Sequence, residues 1–164
     1  LKKQLKKYEA NLSANDSVSP YSSTLFGGNT EKGKHVYENH VTAQCVRCHN
    51  AGGKDNQVGP SLTGIGKRTD KNYLLRSLVD PSVEIADGFN VNVIELKNGK
   101  SIIGRLKDQT KKIITLISPE GKPQEIAATK IKKITAANTS VMPPMGAILT
   151  KHEIRDLIAY LKIL

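Results

Sequence analysis

The stretch that decides the fold is Ala43-Gln44-Cys45-Val46-Arg47-Cys48-His49, which contains both cysteines of the 164-residue chain. Two thiols separated by two residues and followed directly by a histidine are typical of c-type haem attachment. Each thiol can add across one haem vinyl group, and this spacing lets both sulfurs reach the two vinyl positions of one macrocycle. His49 then lies beneath the iron as its proximal ligand. The motif therefore predicts one haem c, bound covalently through Cys45 and Cys48.

Two other uses of a Cys-x-x-Cys pair fit this chain less well. A thioredoxin-like redox pair needs a βαβ setting, whereas the segment before Cys45 is predicted to be helical and the segment after it is a glycine-rich loop. A zinc site normally has four ligands, and the spacing of His35, His40 and His152 does not resemble a zinc finger. Because the two thioether bonds consume both cysteines, no disulfide is expected.

The far side of the haem needs a second iron ligand, and the chain has two methionines, Met142 and Met145. Both precede the last predicted helix, in a loop that also contains Pro143 and Pro144. These prolines stiffen the loop beside Met142, which favours Met142 as the ligand and leaves Met145 to pack on the haem edge. Met145 itself and a histidine, His40 or His35, are the alternatives. A thioether ligand raises the reduction potential, and a filled coordination sphere favours electron transfer over chemistry at the iron.

The chain outside this motif is predicted to be mainly α-helical. Apolar residues at helical spacing predict a first helix over residues 1–12, followed by a polar linker over 13–24. A second helix is expected from Glu31 to about His40 with Thr30 as its N-cap, and a third after Thr69 or Asp70. Thr150 and Glu153 form a capping box for the last helix.

Residues 89–135 change character, because Val, Ile and Thr dominate and turn signals interrupt them. Asn98-Gly99 predicts a two-residue hairpin turn, and Pro119-Glu120-Gly121 predicts a second turn. We therefore expect a small inserted antiparallel β unit. The expected strands are 89–96, 101–106, 112–117, 125–126 and 131–134.

The net charge of +10 is unevenly distributed. Residues 97–133 hold ten lysines or arginines and three acids, which is a net charge of +7. A basic surface steers acidic partners, although solvated lysines are the simpler explanation. No apolar run approaches the roughly 20 residues of a membrane span. The given residues show no signal-peptide pattern, and from the start at Leu1 we expect a mature product or a piece of a longer chain.

Together, these residues resemble class I cytochromes c. The closest resemblance is to the C-terminal haem-c domains of bacterial dehydrogenase-like multidomain proteins. Gly33-x-x-x-Tyr37 and Leu157-x-x-Tyr160 match the first and last helices of the family, which cross closely at the glycine. Asp80-Pro81-Ser82, Glu84-Ile85-Ala86 and the β insertion match the dehydrogenase-associated subgroup. The resemblance implies a mainly α cytochrome c fold around one haem. It divides the chain into an N-terminal helix and linker (1–24) and a haem domain (25–164) with a β insertion at about 89–135.

The resemblance also implies roles for individual residues. Val58-Gly59-Pro60-Ser61-Leu62 matches the loop whose proline carbonyl, here that of Pro60, accepts a hydrogen bond from the proximal imidazole. The match to the axial-methionine loop points to Met142 rather than Met145. Arg68 and Tyr73 are candidates to pair with the haem propionates, although an exposed arginine and a core tyrosine are equally plausible.

The implied function is single-electron transfer by a monohaem c-type cytochrome. Electrons would pass from a dehydrogenase domain or partner to a respiratory acceptor, outside the cytoplasmic membrane of a bacterium, and the domain itself would not be an enzyme. A haem enzyme or gas sensor with an open iron position is the alternative. The β unit also looks weakly like an Sm-like barrel, but no nucleic-acid partner is expected because Phe89 is its one aromatic residue.

Overall fold

The computed structural model describes residues 16–53 and 58–164. The helix predicted over residues 1–12 therefore lies outside the described residues. The helices are α1 (Thr30–Asn39), α2 (Cys45–Cys48), α3 (Ile65–Arg68), α4 (Lys71–Val79) and α5 (Lys151–Leu161). Short 3-10 helices cover Ser19–Leu25, Ala128–Lys130 and Met145–Ala147.

The described chain forms two compact units. The helical unit consists of residues 16–44, 64–80 and 144–164, and it contains every α-helix above except α2. The sheet unit consists of residues 45–53, 58–63 and 81–143, and it contains α2 together with all the strands.

The helical unit is organised around α1 and α5. Helix α5 begins at Thr150, and the predicted capping box with Glu153 is complete. The predicted apolar face of α5 is buried, with Ile154, Leu157, Ile158 and Leu161 in the core. A Cβ on Gly33 of α1 would collide with the backbone carbonyl of Asp156, so glycine is required for the two helices to approach this closely.

The other ends in the helical unit follow local sequence signals. Helix α1 is capped by the side chain of Asn29, which accepts the N–H of Lys32, rather than by Thr30 as predicted. Helix α4 is capped by Asp70, as predicted. The described part of the predicted linker, residues 16–24, lies mostly in the 3-10 helix Ser19–Leu25.

The sheet unit contains one five-stranded antiparallel sheet with the order β4-β3-β2-β1-β5. Its strands are β1 (Val91–Leu96), β2 (Ser101–Gln109), β3 (Ile113–Ile117), β4 (Pro123–Ala127) and β5 (Ile131–Ala137). The first four strands form a meander, and β5 returns to pair with β1. The predicted turn at Asn98-Gly99 closes the β1–β2 hairpin, with Gly99 at a φ of 84°. One face of the sheet holds a core of Ile94, Ile114, Leu116 and Ile126.

The prediction of a mainly α fold is wrong. The described chain is 35% helical and 22% strand, and its strands form one five-stranded sheet. The sequence underestimated the last two strands, because Gln124 and Glu125 of β4 and Lys132 and Lys133 of β5 are exposed polar residues without clear alternation. Backbone pairing of β4 with β3 and of β5 with β1 holds these strands in place.

Candidate haem-attachment site

Both cysteines lie on α2, which is a single helical turn. The backbone N–H of His49 donates to the carbonyl of Cys45 at 2.9 Å, which continues the turn to the histidine. Residues three apart lie on the same side of a helix, so Cys45 and Cys48 present their sulfurs in one direction. Both side chains are half-buried and neither forms a disulfide. This arrangement suits two thioether bonds to the two vinyl positions of one haem.

The His49 ring is oriented by Pro60. Its Nδ1 lies 2.9 Å from the Pro60 carbonyl oxygen. Because a carbonyl can only accept, Nδ1 carries the proton and donates. The lone pair of the neutral ring is then on Nε2, which is a form that ligates metals. The contact that the resemblance implies is therefore present, and it fixes both the tautomer and the direction of the ring.

Burial keeps His49 in the neutral state that iron ligation requires. Desolvation lowers the pKa of His49 below its ordinary value of 6.5, and the hydrogen bond to the Pro60 carbonyl opposes this shift. Ligation needs a deprotonated ring nitrogen. The environment of His49 thus favours a metal ligand over a charged surface histidine.

Gly59 is a site residue for which the sequence predicted no role of its own. A Cβ at this position would lie 2.8 Å from the Cys48 carbonyl oxygen and 2.9 Å from Cε1 of His49. Only glycine lets the loop pass this close to the imidazole and place the next carbonyl on Nδ1. The Gly-Pro pair after the histidine was the available signal, but it indicates a turn without revealing the contact.

The state of the thiols argues against a redox dithiol. Burial raises the pKa of the Cys45 thiol, and the neighbouring Cys48 raises it further. Catalytic thiols of disulfide exchange have lowered pKa values. Across residues 16–53 and 58–164, no group of three or more His, Cys, Asp or Glu side chains could hold a bare metal ion. The raised pKa of the Cys45 thiol therefore does not fit a catalytic redox thiol.

The two methionines lie in different surroundings. Met142 is half-buried in the sheet unit, the same unit as Cys45, His49 and Pro60. Its backbone N–H donates to Oγ of Ser140 at 3.1 Å. Met145 belongs to the helical unit, where it is 3% exposed and begins a 3-10 helix.

The other candidates also belong to the helical unit. Arg68 is exposed at the end of α3, and Tyr73 is half-buried in the first turn of α4. His40 closes α1: its Nδ1 lies 3.0 Å from the N–H of Ala43 and its Nε2 lies 3.7 Å from Glu153. The contact with Ala43 occupies one ring nitrogen of His40, and the other faces Glu153. His35 is exposed on α1.

Comparison with protein families agrees with this geometry. The family model described as cytochrome c matches residues 30–110, which include α2, His49 and Pro60. The match supports a c-type cytochrome. None of the curated proteins matches the chain. The matched segment ends before Met142 and Met145, so it does not decide between them.

The cofactor is haem c, attached covalently through Cys45 and Cys48. The bound haem supplies a one-electron couple at its iron. The family match therefore supports haem-based electron transfer rather than catalysis, and it implies a redox partner. In the part of the chain that the structure describes, no helix has the length and apolar character of a membrane span.

Proposed function

We propose that residues 25–164 form one monohaem electron-transfer domain, into which the segment at about 89–135 is inserted. In this proposal it takes single electrons from a dehydrogenase domain or partner and passes them to a respiratory acceptor, in the periplasm or another extracytoplasmic compartment. The observation that carries the proposal is the 2.9 Å contact between His49 Nδ1 and the Pro60 carbonyl, directly after two half-buried cysteines on one helical turn.

The proposed iron ligands are His49 and Met142. Met142 is favoured because Ser140 anchors its loop: the Ser140 hydroxyl accepts the N–H of Met142, and the Ser140 N–H donates to the Ser82 hydroxyl at 3.1 Å. A loop anchored just before Met142 suits a weak thioether ligand, which depends on the protein to hold it in place. We assign Met145 to packing on the haem edge, and Arg68 and Tyr73 to the propionates.

The partner in this proposal has an acidic docking surface. Its support is the net charge of +7 over residues 97–133, where the described lysines are exposed. Opposite charges steer two proteins together and raise their association rate, and salt screens this effect. Electron transfer to an acidic partner should therefore slow as the ionic strength rises.

The test of the ligands is spectroscopic. The intact mass of the purified protein should exceed that of the polypeptide by one haem. Its ferric spectrum should show the weak red charge-transfer band of methionine sulfur on iron. Met142→Ala should abolish that band, lower the reduction potential and open the iron to cyanide and carbon monoxide.

The matched control for Met142→Ala is Met145→Ala, which removes the other methionine of the same segment. It should keep the charge-transfer band. If Met145→Ala removes the band and Met142→Ala does not, the ligand assignment is reversed. If the unmodified protein binds cyanide and carbon monoxide readily, the iron position is open and a haem enzyme or gas sensor replaces electron transfer.

A further inference from the structure

Five of the nine described lysines of the sheet unit, all of them exposed, lie on three connected turns. We define the basic pole as five exposed lysines from three separate segments: Lys97, Lys100, Lys111, Lys112 and Lys130. Two backbone hydrogen bonds join these segments. The N–H of Lys97 donates to the Lys130 carbonyl at 2.9 Å, and the N–H of Ala128 donates to the Lys112 carbonyl at 2.8 Å. The segments 97–100, 110–112 and 128–130 contain no acidic residue.

The haem-attachment segment packs at the end of β3 that is far from Lys112. Strand β3 begins beside Lys112 and ends at the turn of residues 118–122, which leads to β4. At that turn, a Cβ on Gly121 would lie 2.9 Å from Cγ2 of Val58, two residues before Pro60. The five residues of β3 rise about 3.3 Å each, so roughly 17 Å of strand separates the two ends.

This distance separates the charges of the basic pole from the haem-attachment segment. The Debye length is about 8 Å at physiological salt, so charges at the basic pole act only weakly on the attachment segment. The turn at residues 118–122 lies much closer, and the charges of Arg47 and Lys122 both influence Glu120 on that turn. A partner bound at the basic pole would therefore leave the attachment segment uncovered.

We propose that the basic pole is a docking site for an acidic polypeptide surface, which tethers the domain without covering its haem-attachment end. The inference rests on the proposed function for the existence of an acidic partner, and it adds where that partner binds. Tethering raises the effective concentration of a partner. Electrons can then be exchanged at the haem-attachment segment while the domain stays bound to its partner.

The chemistry of the basic pole favours a protein partner. Binding to a membrane surface combines basic residues with inserted apolar side chains, and the three segments and their next residues carry one large exposed hydrophobic residue, Ile113 at 42%. Binding to single-stranded nucleic acid relies on aromatic stacking, and these segments contain no aromatic residue. Lysines spread over three turns instead match a surface of carboxylates.

The experiment compares two triple charge reversals in the haem-loaded protein. The pole variant carries Lys97→Glu, Lys111→Glu and Lys130→Glu, one reversal in each segment. The control variant carries Lys32→Glu, Lys34→Glu and Lys67→Glu, three exposed lysines of the helical unit. Both variants change the net charge equally. The probe is poly-L-glutamate, and its affinity is measured at several salt concentrations.

The pole variant should bind poly-L-glutamate at least tenfold more weakly at low salt, with a flatter salt dependence, and the control variant should change less than threefold. The midpoint potential of the pole variant should stay at the wild-type value, whereas Lys122→Glu, on the turn that meets the attachment segment, should lower it by adding a negative charge there. Equal loss of binding in both triple variants would mean that net charge alone attracts the probe and would overturn the proposal. A shift of potential in the pole variant, or tighter binding to anionic phosphatidylglycerol vesicles than to poly-L-glutamate, would overturn it as well. A missing methionine band would refute the ligand assignment without affecting these binding results.

Discussion

The helical unit and the sheet unit are stabilised in different ways, and only one of them carries the attachment chemistry. In the helical unit, Gly33 lets α1 approach the backbone of α5, and the rings of Tyr37 and Tyr160 pack 5.7 Å apart. In the sheet unit, the apolar face around Ile94 and Leu116 forms the core, and Cys45–Cys48 and Pro60 belong to the same compact unit.

The difference separates the residues that resemble the family in helix packing from those that bind the cofactor. Gly33, Tyr37, Leu157 and Tyr160 match the family through helix packing, and they lie in the helical unit. Changes there should cost stability while the covalent attachment remains. Changes in the attachment segment should alter the cofactor with little effect on the α1–α5 contact. Four predictions test this separation.

The largest effect is expected from removing both thiols. The double variant Cys45→Ser, Cys48→Ser has no sulfur with which to form a thioether bond, so its intact mass should equal that of the polypeptide. Single variants should each retain one bond and be bound less securely. The α1–α5 contact should persist, and far-UV circular dichroism should still show its helices. Covalent haem in the double variant would contradict the attachment assigned here.

The next effect is expected from closing the space between α1 and α5. Gly33→Val places a branched side chain where even a Cβ meets the Asp156 carbonyl, and overpacking against backbone should destabilise the protein by about 3 kcal/mol. Lys34→Val is the matched control, because Lys34 is the next residue of α1 and is exposed. Guanidinium unfolding gives the free energy of unfolding of each variant. If the two variants lose similar amounts, the close contact contributes little. Haem content by mass should remain at one per folded chain in both.

Sequence signals predicted the features that depend on neighbouring residues. The capping box of Thr150 and Glu153 and the turn at Asn98-Gly99 each involve contacts within a few positions, so local chemistry suffices to predict them. The Cys45–His49 motif is equally local, because the spacing of the thiols is set by the haem itself.

Features that depend on distant pairing were missed. Strand β4 is an edge strand with exposed Gln124 and Glu125, so it lacks the alternation that predicts a strand, and its position is set by register with β3. The contact between Gly121 and Val58 joins residues about sixty positions apart. No local pattern reports such a contact, and as a result the sequence did not indicate that the β strands and the attachment segment share one compact unit.

A smaller effect is expected from Gly59, which acts on the cofactor through His49. Gly59→Ala adds a methyl group 2.9 Å from Cε1 of His49, so the loop or the ring must shift. This should weaken the hydrogen bond from Nδ1 to Pro60, shift the midpoint potential and cost about 1–2 kcal/mol. Gly52→Ala in the same loop is the control, since nothing lies within 4 Å of a Cβ there. Equal potentials in the two variants would remove Gly59 from the positioning of His49.

The smallest effect is a pH-dependent one that belongs to the helical unit alone. The backbone N–H and the hydroxyl of Thr150 both donate to the Glu153 carboxylate at 2.8 Å, and they hold the pKa of Glu153 below its ordinary value of 4.5. Because the pKa is lower in the folded state, the stabilisation is fully present above pH 4.5 and is lost as the pH falls through the folded value. Glu153→Gln should therefore be less stable than the wild type at pH 7, and the difference should vanish in acid. Since the carboxylate is partly exposed, solvent screening keeps this difference small.

Thr150→Ala, which removes the cap itself, should cost about 1 kcal/mol at pH 7. Glu31→Gln is the control, because it removes the first-turn acid of α1, where Asn29 provides the cap. The midpoint potential of each variant is compared with that of the wild type. A shifted potential in Glu153→Gln would show that the two units are coupled.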